Sequence, residues 1–345
     1  MHKQKYIFAT LLLLGSMVAN GQEKEAVDLT PKVHGTIRGK YEYQPEDKKG
    51  RFEVRTARIS LSGKVASWVN YKAEIDLSDE GKIKMLDAYT QLTPITNLNF
   101  TLGQMRVPFT IDAHRSPHLQ YFANRSFIAK QVGNVRDVGA TLGYTLNCGF
   151  PIRLEAGIFN GSGLTNQKDF WTNNINYSTK AQFFFPRGFN LILSAQKIKP
   201  DQISVMMYDA GVYYHAHGWH AEVEYLYKHY ADNAFDGVHA LDAFVNYDIP
   251  LRNKFFTKVS PLLRYDYMSD HSDGIRYVGN EQNEAGKLKI TDYQRSRLTG
   301  GVTLSIDKPF VSDIRLNYEK YFYANSGIPK TSEHDKFVIE IMTRF

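Results

Sequence analysis

The chain has 345 residues, with Lys+Arg 42 against Asp+Glu 36 and a formal net charge of +6. That excess is too mild to argue for a nucleic-acid partner, and a single cysteine excludes an internal disulfide framework. A hydrophobic fraction of 43% with Tyr 22, Phe 21 and Gly 25 favours strands over helices.

The first stretch, MHKQKYIFATLLLLGSMVANGQEKE, carries Lys3 and Lys5, then an apolar run from Tyr6 to Leu14 and small residues at Ala19 and Gly21. It reads as a secretory signal peptide over residues 1–21, cut before Gln22, because its apolar core is too short to span a bilayer. The mature chain, 22–345, then carries a charge of +4, since two lysines and no acids are lost from +6. An exported chain of this size without disulfides needs another source of stability.

From Val33 onward the rhythm is two. VHGTIRGKYEY, RTARISLSG, VNYKAEIDL, MLDAYTQLT and LNFTLGQ alternate, and after a gap so do DVGATLGYT through WHAEVEYLYKHY and on to DKFVIEIMTRF. Alternation on this scale predicts about 16 strands with two unlike faces. Connections such as KVAS, TPITN, NCGFP, HG and DKP are tight; PEDKKG, Thr110–Arg136, GSGLTNQKDFWTNN, Ser269–Asp292 and ANSGIPKTSEHD are longer and polar. Short turns at one end and long loops at the other predict an all-β fold, a transmembrane antiparallel barrel with periplasmic turns and external loops. In WHAEVEYLYKHY one face is Trp219, Ala221, Val223, Tyr225 and Tyr227; the other holds His220, Glu222, Glu224 and Lys228. A barrel of this size is too wide for strand side chains to fill, so the apolar face is expected in lipid and the charges around water. The last strand should close on the first, and its terminal Phe345 fits a signal for the barrel-insertion machinery.

Several stretches resemble the phosphate-selective porin O and P family of Gram-negative outer membranes. FEVRTARISLSGKV, DAYTQL, GQMRVPF, RDVGATLGY, GIFNGSGLTN, RYDYM and RLNY occur in the family's order between Gly35 and Phe345. The resemblance implies a 16-stranded porin, commonly a homotrimer, that passes small anions. High phosphate affinity in that family implies a dense internal row of arginines. Here the lumen-facing bases Arg38, Lys40, Arg58, Lys72, Lys180, Lys228, Arg264 and Arg315 are interleaved with Glu74, Asp76, Asp87, Glu222, Glu224, Asp266 and Glu319. Arginine grips phosphate through a planar two-pronged fork, so a mixed lining suits a general pore for small polar solutes equally.

The connection from about 108 to 136 is too long for a hairpin and holds Tyr121, Phe122 and Phe127, which a free loop would rarely keep. We expect it to fold into the lumen as a constriction, with Arg115, Arg125, Lys130 and Arg136 setting a positive field. His215, His217, His220 and His229 cluster near one turn; His215 and His217 share a face, and the group reads first as titratable rim residues, because a metal needs converging ligands. Paired acids such as Asp266 and Glu319 are ordinary lumen charges, and no catalytic residue, cofactor or metal is expected. The reading is an outer-membrane porin, exported through the Sec route, for passive diffusion of small anions such as phosphate or polyphosphate. Its expected partners are membrane lipid, small anionic solutes and the insertion machinery. A general porin, a barrel enzyme and a plugged, non-conducting binding barrel remain the alternatives.

Overall fold

The computed structural model describes residues 27–165, 167–276, 287–307, 310–324 and 331–345. The expected signal peptide lies outside them. Seventeen strands run in chain order: β1 (Lys32–Gln44), β2 (Lys49–Ala66), β3 (Val69–Asp79), β4 (Lys82–Ile95), β5 (Leu98–Arg106), β6 (Arg136–Asn147), β7 (Pro151–Phe159), β8 (Asn176–Phe184) and β9 (Phe189–Ile198). Then follow β10 (Val205–Ala216), β11 (Trp219–Tyr230), β12 (Val238–Tyr247), β13 (Ile249–Pro250), β14 (Lys258–Met268), β15 (Arg295–Ile306), β16 (Val311–Tyr323) and β17 (Lys336–Arg344). The two-residue β13 lies within the β12–β14 connection, so sixteen strands form the wall. Each pairs antiparallel with its sequence neighbour, and β17 pairs with β1, Ile341 opposite Gly39 and Ile339 opposite Tyr41. The ring has no free edge, so every wall strand satisfies its backbone on both sides. No helix among the described residues is long and apolar enough to cross a membrane.

The two faces are inverted relative to a water-soluble protein. On β17, Ile339 and Ile341 are 46% and 55% exposed while Glu340 is fully buried. On β11, Val223 and Tyr225 point outward and Glu222, Glu224 and Lys228 are buried. An apolar exterior around a charged interior is stable only when the outer solvent is hydrocarbon.

Closure at the chain end rests on an aromatic laid over a glycine. Gly35 and Phe345 exchange backbone hydrogen bonds at 2.7 and 3.1 Å. The Phe345 ring occupies the place of a missing side chain, since a Cβ on Gly35 would stand 2.2 Å from it. Gly35→Val is therefore expected to expel the ring and lower the temperature at which the folded barrel unfolds on heat-modifiability gels, with the strand register intact. An unchanged transition would mean that the ring contributes nothing to closure.

Two expectations need correction. The β3–β4 connection at the long-loop end is itself a tight turn, Glu80-Gly81, with φ of 46° and 86°. Both residues take the left-handed conformation that a two-residue hairpin demands. The interior is also not lined solely by polar groups around water. Residues 107–135 fold inside the ring, and Phe127, Ile128 and Val132 pack against inward-facing Met207, Leu226, Val238, Ala240 and Met268. Strand side chains alone could not fill such a barrel, but a long connection supplies the missing mass.

Candidate pore and constriction

The inward segment is tied to the wall through its own backbone. Pro108 O accepts from Ser178 Oγ at 2.6 Å, and Thr110 O from Lys180 Nζ at 2.5 Å. Glu224 accepts from Ile111 N and Asp112 N. Further on, Ala123 N donates to Asn317 Oδ1 at 3.0 Å and Ala123 O accepts from Arg38 at 2.8 Å. Phe127 N donates to Asp266 at 3.1 Å, and Arg125 O accepts from Arg297 at 2.8 Å. A turn of helix, Phe127–Lys130, starts at Ser126, whose Oγ caps Ala129 N. Segment backbone is thus satisfied by charged and polar wall side chains from β8 round to β1, and a buried backbone needs that satisfaction.

Open space remains toward the early strands. A cavity of about 630 Å³ opens near the short turns, lined by Lys72, Asp87, Arg106, Arg115, Arg153 and Lys180 among others. A second, of about 890 Å³, lies against β1–β4 at the long-loop end; Arg38, Arg51, Arg55, Arg58, Arg125 and Arg136 line it, with Glu53, Asp76, Asp79 and Glu80. Residues Arg115 to Pro117 separate the two. The Arg115 carbonyl accepts from Arg106 on one side at 3.3 Å and from Arg125 on the other at 2.8 Å.

The wall arginines are paired. Arg136 meets Asp87 at 2.6 Å and Glu74 at 3.1 Å; Arg58 meets Asp76 at 2.9 Å; Arg38 meets Glu340 at 2.5 Å. Arg106 and Arg125 differ. Their guanidiniums hold only segment carbonyls, those of Ala113, His114 and Arg115 for Arg106, and of Asp112 and Arg115 for Arg125. Among the described residues neither has a carboxylate within ion-pair distance. Burial lowers Arg125 to about 10, opposed by Asp112, so it remains charged at neutral pH. Two positive charges without a direct ion pair therefore flank the segment that separates the cavities.

Of the residues singled out from sequence, Arg38, Arg58, Arg125 and Arg136 line the long-loop cavity and Arg115 the other. Arg115 is neutralised by Glu222 at 2.5 Å and lies over Tyr121. Three lie elsewhere. Arg264 is buried between Asp266, Asp242 and the Phe122 ring; Arg315 is buried on Glu340 and Asp313; Lys130 reaches Glu333 at 3.3 Å on the filled side. Lys130→Gln is accordingly expected to leave ion selectivity unchanged, read as the reversal potential across a salt gradient; a clear shift would return Lys130 to the pore. Sequence reasoning missed Arg51, Arg55 and Arg106. The paired acids Asp266 and Glu319 are engaged by one guanidinium: Arg297 holds them at 3.0 and 3.3 Å. Buried Glu222, Glu224 and Asp242 bring carboxylate oxygens within 4.8 Å of one another. Arg115 and Arg264 answer that charge from either side.

A closed sixteen-stranded antiparallel ring with a lipid-suited exterior and an inward segment between β5 and β6 is the architecture of an outer-membrane porin. Residues 30–186 match the family described as "Phosphate-selective porin O and P", so the resemblance seen in the motifs holds over β1 to β8. Among solved structures, OmpF of Salmonella typhi in complex with daunomycin aligns with TM-score 0.62 at 13% identity, covering 91% of this chain and 97% of that one. OmpT of Vibrio cholerae in its trimer form gives 0.61 at 12%, covering 92% and 99%. The anion-selective porin from Comamonas acidovorans gives 0.58 at 11%, covering 91% and 98%. At these identities the likeness speaks to the fold. No curated relative matches in sequence.

Proposed function

We propose that this protein is an outer-membrane channel for passive diffusion of small anions, which pass the basic long-loop cavity, the Arg106–Arg125 neck and the cavity at the short turns. The observation that carries the reading is that pair of arginines without carboxylates beside the dividing segment. A fixed charge in a narrow, low-dielectric passage raises the local concentration of its counter-ion. The long loops are external and the short turns periplasmic in this reading; residues 1–21 are an export signal, and Phe345 serves the insertion machinery. A homotrimer is part of it too, supported by the trimer form of the Vibrio cholerae OmpT neighbour. The family and fold are those of channels, and the reading includes no catalysis.

Phosphate is one candidate solute. The ion pairs of Arg58 and Arg136 with Glu74, Asp76 and Asp87 favour a second reading, a pore with mild anion preference and no phosphate site. Titrating phosphate into the chloride current of single channels separates them. Saturable block supports a phosphate site, and a linear response supports the general pore.

A further inference from the structure

We propose that His215 and His220 form a metal site on the wall of the short-turn cavity, suited to a borderline divalent ion such as Zn²⁺ or Cu²⁺. His215 on β10 and His220 on β11 are direct cross-strand partners, and both line the 630 Å³ cavity. Their Nδ1 atoms face each other at 3.2 Å. Two imidazole nitrogens on one tetrahedral zinc ion, each bonded at about 2.0–2.1 Å, stand about 3.3 Å apart. The pair therefore already has the spacing of one edge of such a site.

The second nitrogen of His220 strengthens the case. Nε2 lies 3.0 Å from Glu222 Oε2. An ionised carboxylate only accepts, so Nε2 carries the proton and Nδ1 presents its lone pair toward His215. A carboxylate behind a histidine is the arrangement that fixes ligand tautomer and orientation at metal centres. The His220 ring is also held by stacking, with Tyr121 at 4.5 Å and Phe244 at 5.3 Å between centroids. One ligand is thus rigid and buried. The other, His215, is exposed to the cavity, so an ion reaches it from solvent. Without metal, His215 Nδ1–H donates to His220 Nδ1. On binding, His215 shifts its proton to Nε2 and its exposed ring swings so that its Nδ1 lone pair meets that of His220 at the ion. No net proton is lost, and water from the cavity completes the coordination. Imidazole ligands suit Zn²⁺, Cu²⁺ and Ni²⁺ over Ca²⁺ or Mg²⁺.

The other two histidines of the cluster stand apart. His217 takes a left-handed turn conformation with φ 54° and meets Tyr214 Oη, and His229 is exposed on the outward face of β11. The shared face expected of His215 and His217 ends at the turn, and the partner of His215 lies across it.

The test is calorimetric titration of ZnCl2 into untagged, detergent-folded protein, repeated with Cu²⁺ by visible absorption. The expected result is one ion per chain, with affinity reduced at least tenfold in His215→Ala and unchanged in His217→Ala and His229→Ala. His215 is exposed, so its variant folds, which heat-modifiability confirms. Wild-type protein that takes up no Zn²⁺, or binding that survives His215→Ala, overturns the proposal. Neither outcome depends on whether the barrel conducts.

Discussion

Arg106→Gln combined with Arg125→Gln is expected to abolish most of the channel's anion preference while leaving it folded and open. Each guanidinium bonds only to carbonyls of the segment, so glutamine breaks no direct ion pair, and buried Asp112, which feels the Arg125 charge, keeps Ser126 and Arg115 as partners. A unit charge about 4 Å from a passing ion contributes about 1 kcal/mol even in bulk-like water, or roughly a fivefold change in local anion concentration, and more where water is excluded. Removing two such charges should move the reversal potential in a KCl gradient most of the way toward zero. Replacing Arg58, which Asp76 and Glu74 already neutralise, should do less. Equal effects at both places would show that selectivity is spread round the wall rather than set at the neck.

The second large effect is expected at Asp266. This carboxylate is fully buried and takes Arg297 at 3.0 Å, Arg264 at 3.1 Å and the backbone N–H of Phe127 at 3.1 Å. Asp266→Ala leaves two buried guanidiniums short of a counter-charge and an amide without a partner. Breaking one side of a buried ion pair costs about 3–5 kcal/mol. The antiparallel ladder of β14 does not use this side chain, so the cost should fall on the docking of residues 107–135 and not on the ring. Faster proteolytic cutting within that segment and a larger single-channel conductance are the expected results. A variant with wild-type conductance and protease resistance would show that the remaining ties, at Glu224, Asn317 and Lys180, suffice to hold the segment.

The ring itself was legible because a barrel wall writes its two faces as strict alternation. β11 and β17 show this well: Trp219, Val223 and Tyr225, and Phe337, Ile339 and Ile341, are exposed to lipid, and Glu222, Glu224, Lys228 and Glu340 between or beside them are buried. The inward fold of the β5–β6 connection was legible too, from aromatic residues that a solvated loop would not keep. Its partners were not. Inward-facing Met207, Leu226 and Met268 look like breaks in a polar lining until Phe127 and Ile128 are seen against them. Arg55 escaped for a different reason. It is the extra residue of a β-bulge, since Arg38 pairs with Thr56 and Gly39 with Val54, and a bulge resets which residues face inward. Leu86, between the pairs Glu74–Asp87 and Ile75–Met85, is a second case. Arg106 ends β5, where alternation gives way to a segment whose path depends on contacts distant in sequence. Lys130 reads as functional from sequence because a basic residue in a constricting segment looks so wherever it points, and this one points to Glu333.

The most direct test of the central claim is the zero-current potential of single wild-type channels across a KCl gradient, with protein refolded from the mature chain. Discrete steps with a reversal potential of the anion-selective sign are predicted. A cation-selective potential, or no steps from a barrel shown to be folded, would contradict it.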